Sequence, residues 1–134
     1  MLMAQMRAYI VDVKGAFLIG EFDNGEELYC KIPEGFEGLY DPEVYCWKLL
    51  KTAYGLKQAA KMFWVKLLKA MSELGFKRSR CDPCVYWKWG VYGLLVWVTW
   101  IEYMLSIGHP KDEKQAKEQF LKKFPCEDIG EFKE

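Results

Sequence analysis

Apolar and polar positions fall into blocks along the chain, and their spacing changes from block to block. Arg7–Val13 carries Tyr9, Ile10, Val11 and Val13 in a short run, the pattern of a buried strand. Gly15 and Gly20 flank a turn or short helix at 16–19. A second strand is expected at 27–32. The Gly- and Pro-rich stretch 33–42 predicts a loop, and a short strand at 44–50 leads into 52–55. From 59 to 74 the period becomes helical. Ala60, Phe63, Trp64, Leu67, Met71 and Leu74 recur at steps of three and four, and Gly75 stands where a C-terminal cap belongs. Residues 85–88 and 94–107 predict two strands joined by a tight turn near Gly90–Gly93. Pro110, Asp112 and Glu113 suit a helix start. Ala116, Phe120 and Phe124 give that helix its apolar stripe, and Lys122 and Lys123 suit its end. Residues 126–132 predict a last strand.

This order is strand, excursion, helix, two strands, helix, strand. It predicts an α+β fold of the split βαβ type, with both helices on one face of an antiparallel sheet. A length of 134 residues suits one domain, with 21–50 as an excursion inside it.

Composition adds that a core is affordable, since 51% of residues are apolar. Lys plus Arg and Asp plus Glu both number 19, so net charge does not point to nucleic acid. The distribution is less even. Eight acids (Glu21, Asp23, Glu26, Glu27, Glu34, Glu37, Asp41, Glu43) lie in 20–45, against Lys31 alone. Nine bases (Lys48, Lys51, Lys57, Lys61, Lys66, Lys69, Lys77, Arg78, Arg80) follow in 48–80, against Glu73 alone. Such runs are usually solvated faces, although a basic one also attracts phosphates. Five cysteines, and the lack of a signal pattern in Met1–Gln5, favour a reducing intracellular compartment, cytoplasmic or nuclear. Cys81-Asp82-Pro83-Cys84 is a C-x-x-C without a second pair. Only Cys126 and the single histidine, His109, could complete a zinc set. No apolar run approaches the ~18 residues of a membrane span, so no membrane partner is expected.

One position resists the pattern. In "VWVTWIEYMLSIG" (96–108), Glu102 sits alone in an apolar run. Burying an unpaired charge in a strand is costly. Glu102 is therefore a solvated edge residue, a working acid, or the remnant of one.

Four segments, "VDVKGAFLIGEF" (11–22), "IPEGFE" (32–37), "KTAYGLKQAAKMFW" (51–64) and "GFKRSRCDPCVYWK" (75–88), resemble the reverse transcriptase of copia-type retrotransposons. "FPCEDIGEFKE" at the end fits the same pattern, and the similarity runs from about residue 8 onward in order and spacing. The resemblance implies a palm with part of the fingers. It also implies that the hairpin after "DPCVY" carries a Tyr-Val-Asp-Asp motif at its turn. Aligning on Met104-Leu105-Ser106-Ile107-Gly108 places Trp100-Ile101-Glu102-Tyr103 there, with Glu102 for the first aspartate and Tyr103 for the second.

The family's chemistry uses two divalent ions, Mg²⁺ or Mn²⁺, between carboxylates of two strands. By the resemblance, the ligands are Asp12, the main-chain carbonyl of Val13, and Glu102. Phe17 crowds the sugar 2′ position, Gln58 lines the incoming nucleotide, and Lys57 and Lys61 face nucleic acid. Ala60 stands where the family usually has Pro. Glu102 is one methylene longer than Asp, and a shift of about 1 Å costs roughly 100-fold in rate. Tyr103 is a poor ligand, because a phenol titrates near ~10. Only eleven residues precede Asp12, and the primer grip and thumb do not follow "IGEFKE". The expectation is a degenerate or domesticated domain without polymerase activity. It would act on a protein partner, or on itself, through apolar surface that fingers and thumb otherwise cover. Two alternatives stand beside it. One is an RNA- or DNA-binding module using the basic segment with Trp47, Trp64, Trp87 and Trp89. The other is an active RNA-directed DNA polymerase using Asp12 and Glu102. All three require Asp12 and Glu102 to meet on neighbouring strands.

Overall fold

Strand pairing divides the chain into two separate sheets. The computed structural model describes residues 6–22 and 25–131. Met1–Gln5, Asp23 of the acidic run and Phe132 of the last predicted strand lie outside the described residues. In chain order the elements are β1 (Arg7–Val13), β2 (Leu28–Cys30), β3 (Trp47–Leu49), α1 (Ala59–Glu73), β4 (Lys77–Arg78), β5 (Val85–Trp89), β6 (Leu94–Trp100), β7 (Tyr103–Gly108), α2 (Pro110–Leu121) and β8 (Cys126–Glu131). A single 3-10 turn covers Ala16–Leu18. The fold is mixed α+β, as expected.

Contacts group the chain into two compact units. One comprises the N-terminal segment through Ala16 and everything from Trp64 onward. Its sheet has the order β4-β5-β6-β7-β1-β8, and every neighbouring pair is antiparallel. Side chains alternate across each strand. Val11, Val13, Tyr86, Leu95, Trp97, Met104 and Ser106 share one fully buried face. On the other face Ile10, Asp12, Val96, Val98, Leu105 and Ile107 are half-buried. Trp97 is the hub of the core. Phe120 of α2 meets it edge-on at 5.3 Å between ring centroids, and Phe76 lies at 5.3 Å. The α1 stripe Leu67, Ala70 and Met71 is buried. Gly75 ends that helix with φ +81, the left-handed cap that its position predicts.

The acids that open α2 do more than offset its dipole. His109 caps the helix, its Nδ1 accepting from the Lys111 amide at 3.3 Å. Asp112 and Glu113 are both buried against the sheet. Asp112 accepts from the amides of Val91 and Tyr92 (3.0 and 2.7 Å) and so holds the β5–β6 turn. Glu113 accepts from Trp97 Nε1 (3.1 Å) and Ser106 Oγ (2.7 Å). A buried carboxylate is tolerated when its oxygens are satisfied in this way.

The second unit, Phe17–Phe63, holds the ribbon of β2 and β3, paired Leu28 to Leu49 and Cys30 to Trp47. Phe36 packs edge-on against Trp47 at 5.1 Å. Thr52 is buried. Its amide donates to the Gly20 carbonyl (3.1 Å) and its hydroxyl to the Phe17 carbonyl (2.6 Å). A Cβ on Gly20 would collide with Thr52, so only glycine lets these two segments approach.

Four expectations need correction. Ala60, expected in the apolar stripe of α1, is exposed, and Ala59 is buried in its place. The run 94–107 is not one strand: it breaks at Ile101-Glu102 into β6 and β7. The ribbon strands are shorter than predicted, 28–30 and 47–49, because Pro33 and the exposed segment 40–46 leave no partner to extend them. The edge strand β4 (Lys77–Arg78) was not expected at all. Two charged residues carry no apolar alternation to announce it. Among the described residues no helix is long and apolar enough to cross a membrane.

Candidate functional site

The β6–β7 connection is two residues long, with Trp100 paired to Tyr103 across it. Such a tight link needs a positive φ at its first central residue. Ile101 supplies it with φ +55, and no other non-glycine described residue has a positive φ. A β-branched side chain there is strained, and strain of this kind collects at functional turns. The turn docks on the end of β1, where the Val13 amide donates to the Glu102 carbonyl at 2.9 Å. On the other side the Lys14 amide donates to the Pro125 carbonyl at 2.8 Å. The end of β1 is thus fixed between the hairpin tip and the entry to β8.

This arrangement sets the acids. Asp12 lies opposite Tyr103 on β7 and opposite Glu127 on β8. Asp12 is half-buried, and its Oδ1 is fully buried with no hydrogen-bond partner. Glu102 is half-buried at the turn, while Tyr103 is exposed. Glu127 pairs with Lys14 at 3.1 Å, both side chains about 60% exposed, so that bond is weak. The Asp12 charge is felt nearby: burial first, and then Asp12, push the Cys126 thiol up to about 11. Asp12, Val13 and Glu102 thus lie together at the end of β1 and the turn docked on it.

The unpartnered Asp12 Oδ1 is the kind of oxygen a cation takes, and Glu102 offers a second carboxyl at the adjoining turn. Tyr103 contributes a phenol. Among the described residues no group of three or more His, Cys, Asp or Glu is placed to hold a metal ion.

The other expected residues belong to the second unit. Phe17 is half-buried, its ring edge-on to Tyr54 at 5.4 Å and to Phe63 at 6.5 Å, so it has a packing role. Gln58 donates from Nε2 to Glu26 at 3.0 Å. Lys57 and Lys61 are exposed. Among the tryptophans, Trp89 is 72% exposed. Trp47, Trp64 and Trp87 are half-buried, with Arg78 over Trp64 and Lys77 over Trp87. His109 caps α2 and Cys126 begins β8, so neither adjoins the C-x-x-C loop in the sequence of elements. The residue that sequence reasoning missed is Ile101. Its identity argues against a left-handed turn, and only the motif alignment places a hairpin there.

Comparison with known proteins agrees with this geometry. The reverse transcriptase (RNA-dependent DNA polymerase) family profile matches residues 3–134. The chain is 34% identical over 122 residues to the retrovirus-related Pol polyprotein from transposon TNT 1-94 of Nicotiana tabacum, covering 90% of this chain and 9% of that protein. It is 28% identical over 121 residues to a transposon Ty5-1 protein of Saccharomyces cerevisiae, covering 90% of this chain and 38% of that protein. It is 36% identical over 76 residues to the Pol polyprotein from transposon RE2 of Arabidopsis thaliana, covering 57% of this chain and 5% of that protein. The chain thus spans well under half the length of these relatives. No solved structure matches it significantly. With the motif segments, the docked hairpin and these relatives in agreement, the chain belongs to the reverse transcriptase family, in its copia-type branch.

Proposed function

We propose that this chain is a reverse-transcriptase palm of the split βαβ type whose ion centre is incomplete. In this reading it does not extend a primer and acts by binding a protein partner or a second copy of itself. The palm reading is supported by strand order. Taking β1, β6, β7 and β8 as the four strands of the motif, α1 lies between the first and second and α2 between the third and fourth. Their order in the sheet is β6-β7-β1-β8. The loss of catalysis rests on one observation, that the residue across from Asp12 is Tyr103. Positioning metal, primer and nucleotide is most of the work of phosphoryl transfer, and Tyr103 sets a ring opposite Asp12 where the resemblance implies a second carboxylate. Association is supported by the hairpin tip, where Trp100 is 74% and Ile101 58% exposed.

A second reading, retained nucleic-acid binding, is favoured by the exposed Lys57 and Lys61 and by the Trp89 ring. The test is primer extension on an RNA template with Mg²⁺ or Mn²⁺, beside calorimetric ion titration. The wild-type chain should show neither extension nor tight ion binding. The double variant Glu102→Asp, Tyr103→Asp should bind Mn²⁺. Extension by the wild-type chain that disappears in Asp12→Ala would overturn the proposal.

A further inference from the structure

Cys81-Asp82-Pro83-Cys84 takes no part in the site above. Both thiols are free, Cys81 exposed and Cys84 half-buried. The loop that carries them is closed by its own hydrogen bonds. The Ser79 amide donates to the Val85 carbonyl (2.8 Å), and the Val85 amide to the Asp82 carbonyl (3.2 Å). Ser79 Oγ accepts from the amides of Cys81 (3.2 Å) and Asp82 (3.4 Å), and Asp82 Oδ1 from the Cys84 amide (2.8 Å). An extended chain would hold Cα atoms three residues apart at about 10 Å. A disulfide spans roughly 4.4–6.8 Å, so only a folded loop draws such a pair together.

The two cysteines are held differently. The Cys84 carbonyl accepts from both the amide (2.9 Å) and the hydroxyl (3.2 Å) of Thr99, which anchors it to the end of β6. Cys81 lies on the exposed arm directly after Arg80, open to a disulfide in solution. Two residues beyond Cys84, on β5, Tyr86 is 1% exposed with its hydroxyl buried and unpartnered. That phenol has a hydrogen bond to give. Cys30 and Cys46 make a useful contrast. Cys30 pairs across the ribbon with Trp47, whereas Cys46 precedes β3 and has no partner in that register.

We propose that Cys81 and Cys84 form a redox-active dithiol, which a small disulfide of the glutathione class oxidises to a disulfide within the loop. The Cys81 thiolate attacks one sulfur of glutathione disulfide. That S–S bond breaks, and one glutathione leaves as thiolate and takes up the proton Cys81 released. Cys84, deprotonated to solvent, then attacks the Cys81 sulfur. The protein S–S bond forms, the mixed bond breaks, and the second glutathione leaves and is protonated. Two electrons pass from the two thiols to glutathione disulfide, and no other oxidant is needed. The inference stands apart from any reading of the ion site.

Arg80 and Lys88 bracket a tryptic peptide holding both cysteines and no other. The folded protein is incubated with glutathione disulfide, quenched with acid, and mapped by mass spectrometry. The expected result is a peptide 81–88 that has lost two hydrogens and carries no glutathione. Cys84→Ser should instead hold glutathione on Cys81. Closure should be several-fold slower in urea, where the turn is gone, and slower in folded Asp82→Ala. A wild-type loop that stays reduced, keeps glutathione on Cys81, or closes equally fast in urea would overturn the proposal. The wild-type measurement needs no variant to fold.

Discussion

The Val13 amide donates to the Glu102 carbonyl at 2.9 Å, which ties the end of β1 to the tip of the β6–β7 hairpin. That bond places Asp12 beside the turn, and it depends on Ile101 holding φ +55. A left-handed non-glycine residue costs ~1–2 kcal/mol. Glycine there would return ~0.5–1 kcal/mol of that as chain entropy. Ile101 is 58% exposed, so little burial is lost with its side chain. Ile101→Gly should therefore stabilise the fold by about 0.5–1 kcal/mol, by the same balance. Ile101→Val should leave it unchanged. Urea denaturation followed by tryptophan fluorescence measures both.

The burial of Glu113 makes stability depend on pH. Burial holds the Glu113 carboxyl above its ordinary 4.5, and the bonds from Ser106 and Trp97 oppose the rise without cancelling it. A folded acid raised in this way binds its proton more tightly than the unfolded chain does. Its stabilising share is complete below the ordinary value and is lost as pH climbs through the raised one. Glu113→Gln should flatten that loss. Glu113→Ala should cost ~2–4 kcal/mol at any pH, because two buried donors lose their acceptor. Urea midpoints collected from acid to neutral pH separate the two variants.

The β5–β6 turn rests on Asp112, whose carboxyl also fills the space a Cβ on Gly90 would need. Gly90→Ala and Asp112→Ala should each destabilise by ~1–3 kcal/mol, the first by collision and the second by stranding two amides. The double variant should fall short of the sum, since the smaller side chain at 112 makes room for the new methyl. Thermal melts of the three proteins test this.

If nucleic acid is retained, Lys57 and Lys61 carry part of the phosphate contact. Lys57→Ala with Lys61→Ala should weaken binding to an RNA–DNA hybrid alike for all sequences. It should also lower the salt slope by about one per lost contact. Fluorescence anisotropy across a salt series reads this. An unchanged slope would remove both lysines from the interface.

Long periodic segments were legible in the sequence. The Arg7–Val13 strand and the helix from Ala59 were bounded closely, because alternation and the three-four period each had a full run in which to show. The break at Ile101-Glu102 was not visible in the apolar pattern, since an isoleucine in a left-handed turn contradicts its own propensity. The motif alignment found it because homology remembers a turn that local chemistry hides. Asp112 and Glu113 read as dipole partners of a helix, and only tertiary packing shows that each serves the sheet. Asp12 and its partner Tyr103 lie far apart in sequence. No local pattern joins them, and their meeting had to come from the resemblance.

Cys126 gives a way to sense the Asp12 charge. Burial, then Asp12, lift its thiol from 9.0 to about 11, which leaves about a hundredfold less thiolate near neutral pH. The thiolate is the form that alkylates. Iodoacetamide should modify the exposed Cys46 and Cys81 early and Cys126 last. Asp12→Asn removes the nearby negative charge while keeping nearly the same volume, so Cys126 should react faster in that variant and the other four thiols should not. A general loosening of the fold would instead speed the half-buried Cys30 and Cys84 as well. A divalent ion bound at Asp12 would mimic the Asn variant by neutralising the same charge. The Cys126 alkylation rate with and without Mn²⁺ therefore reports, without any polymerase assay, whether Asp12 holds an ion.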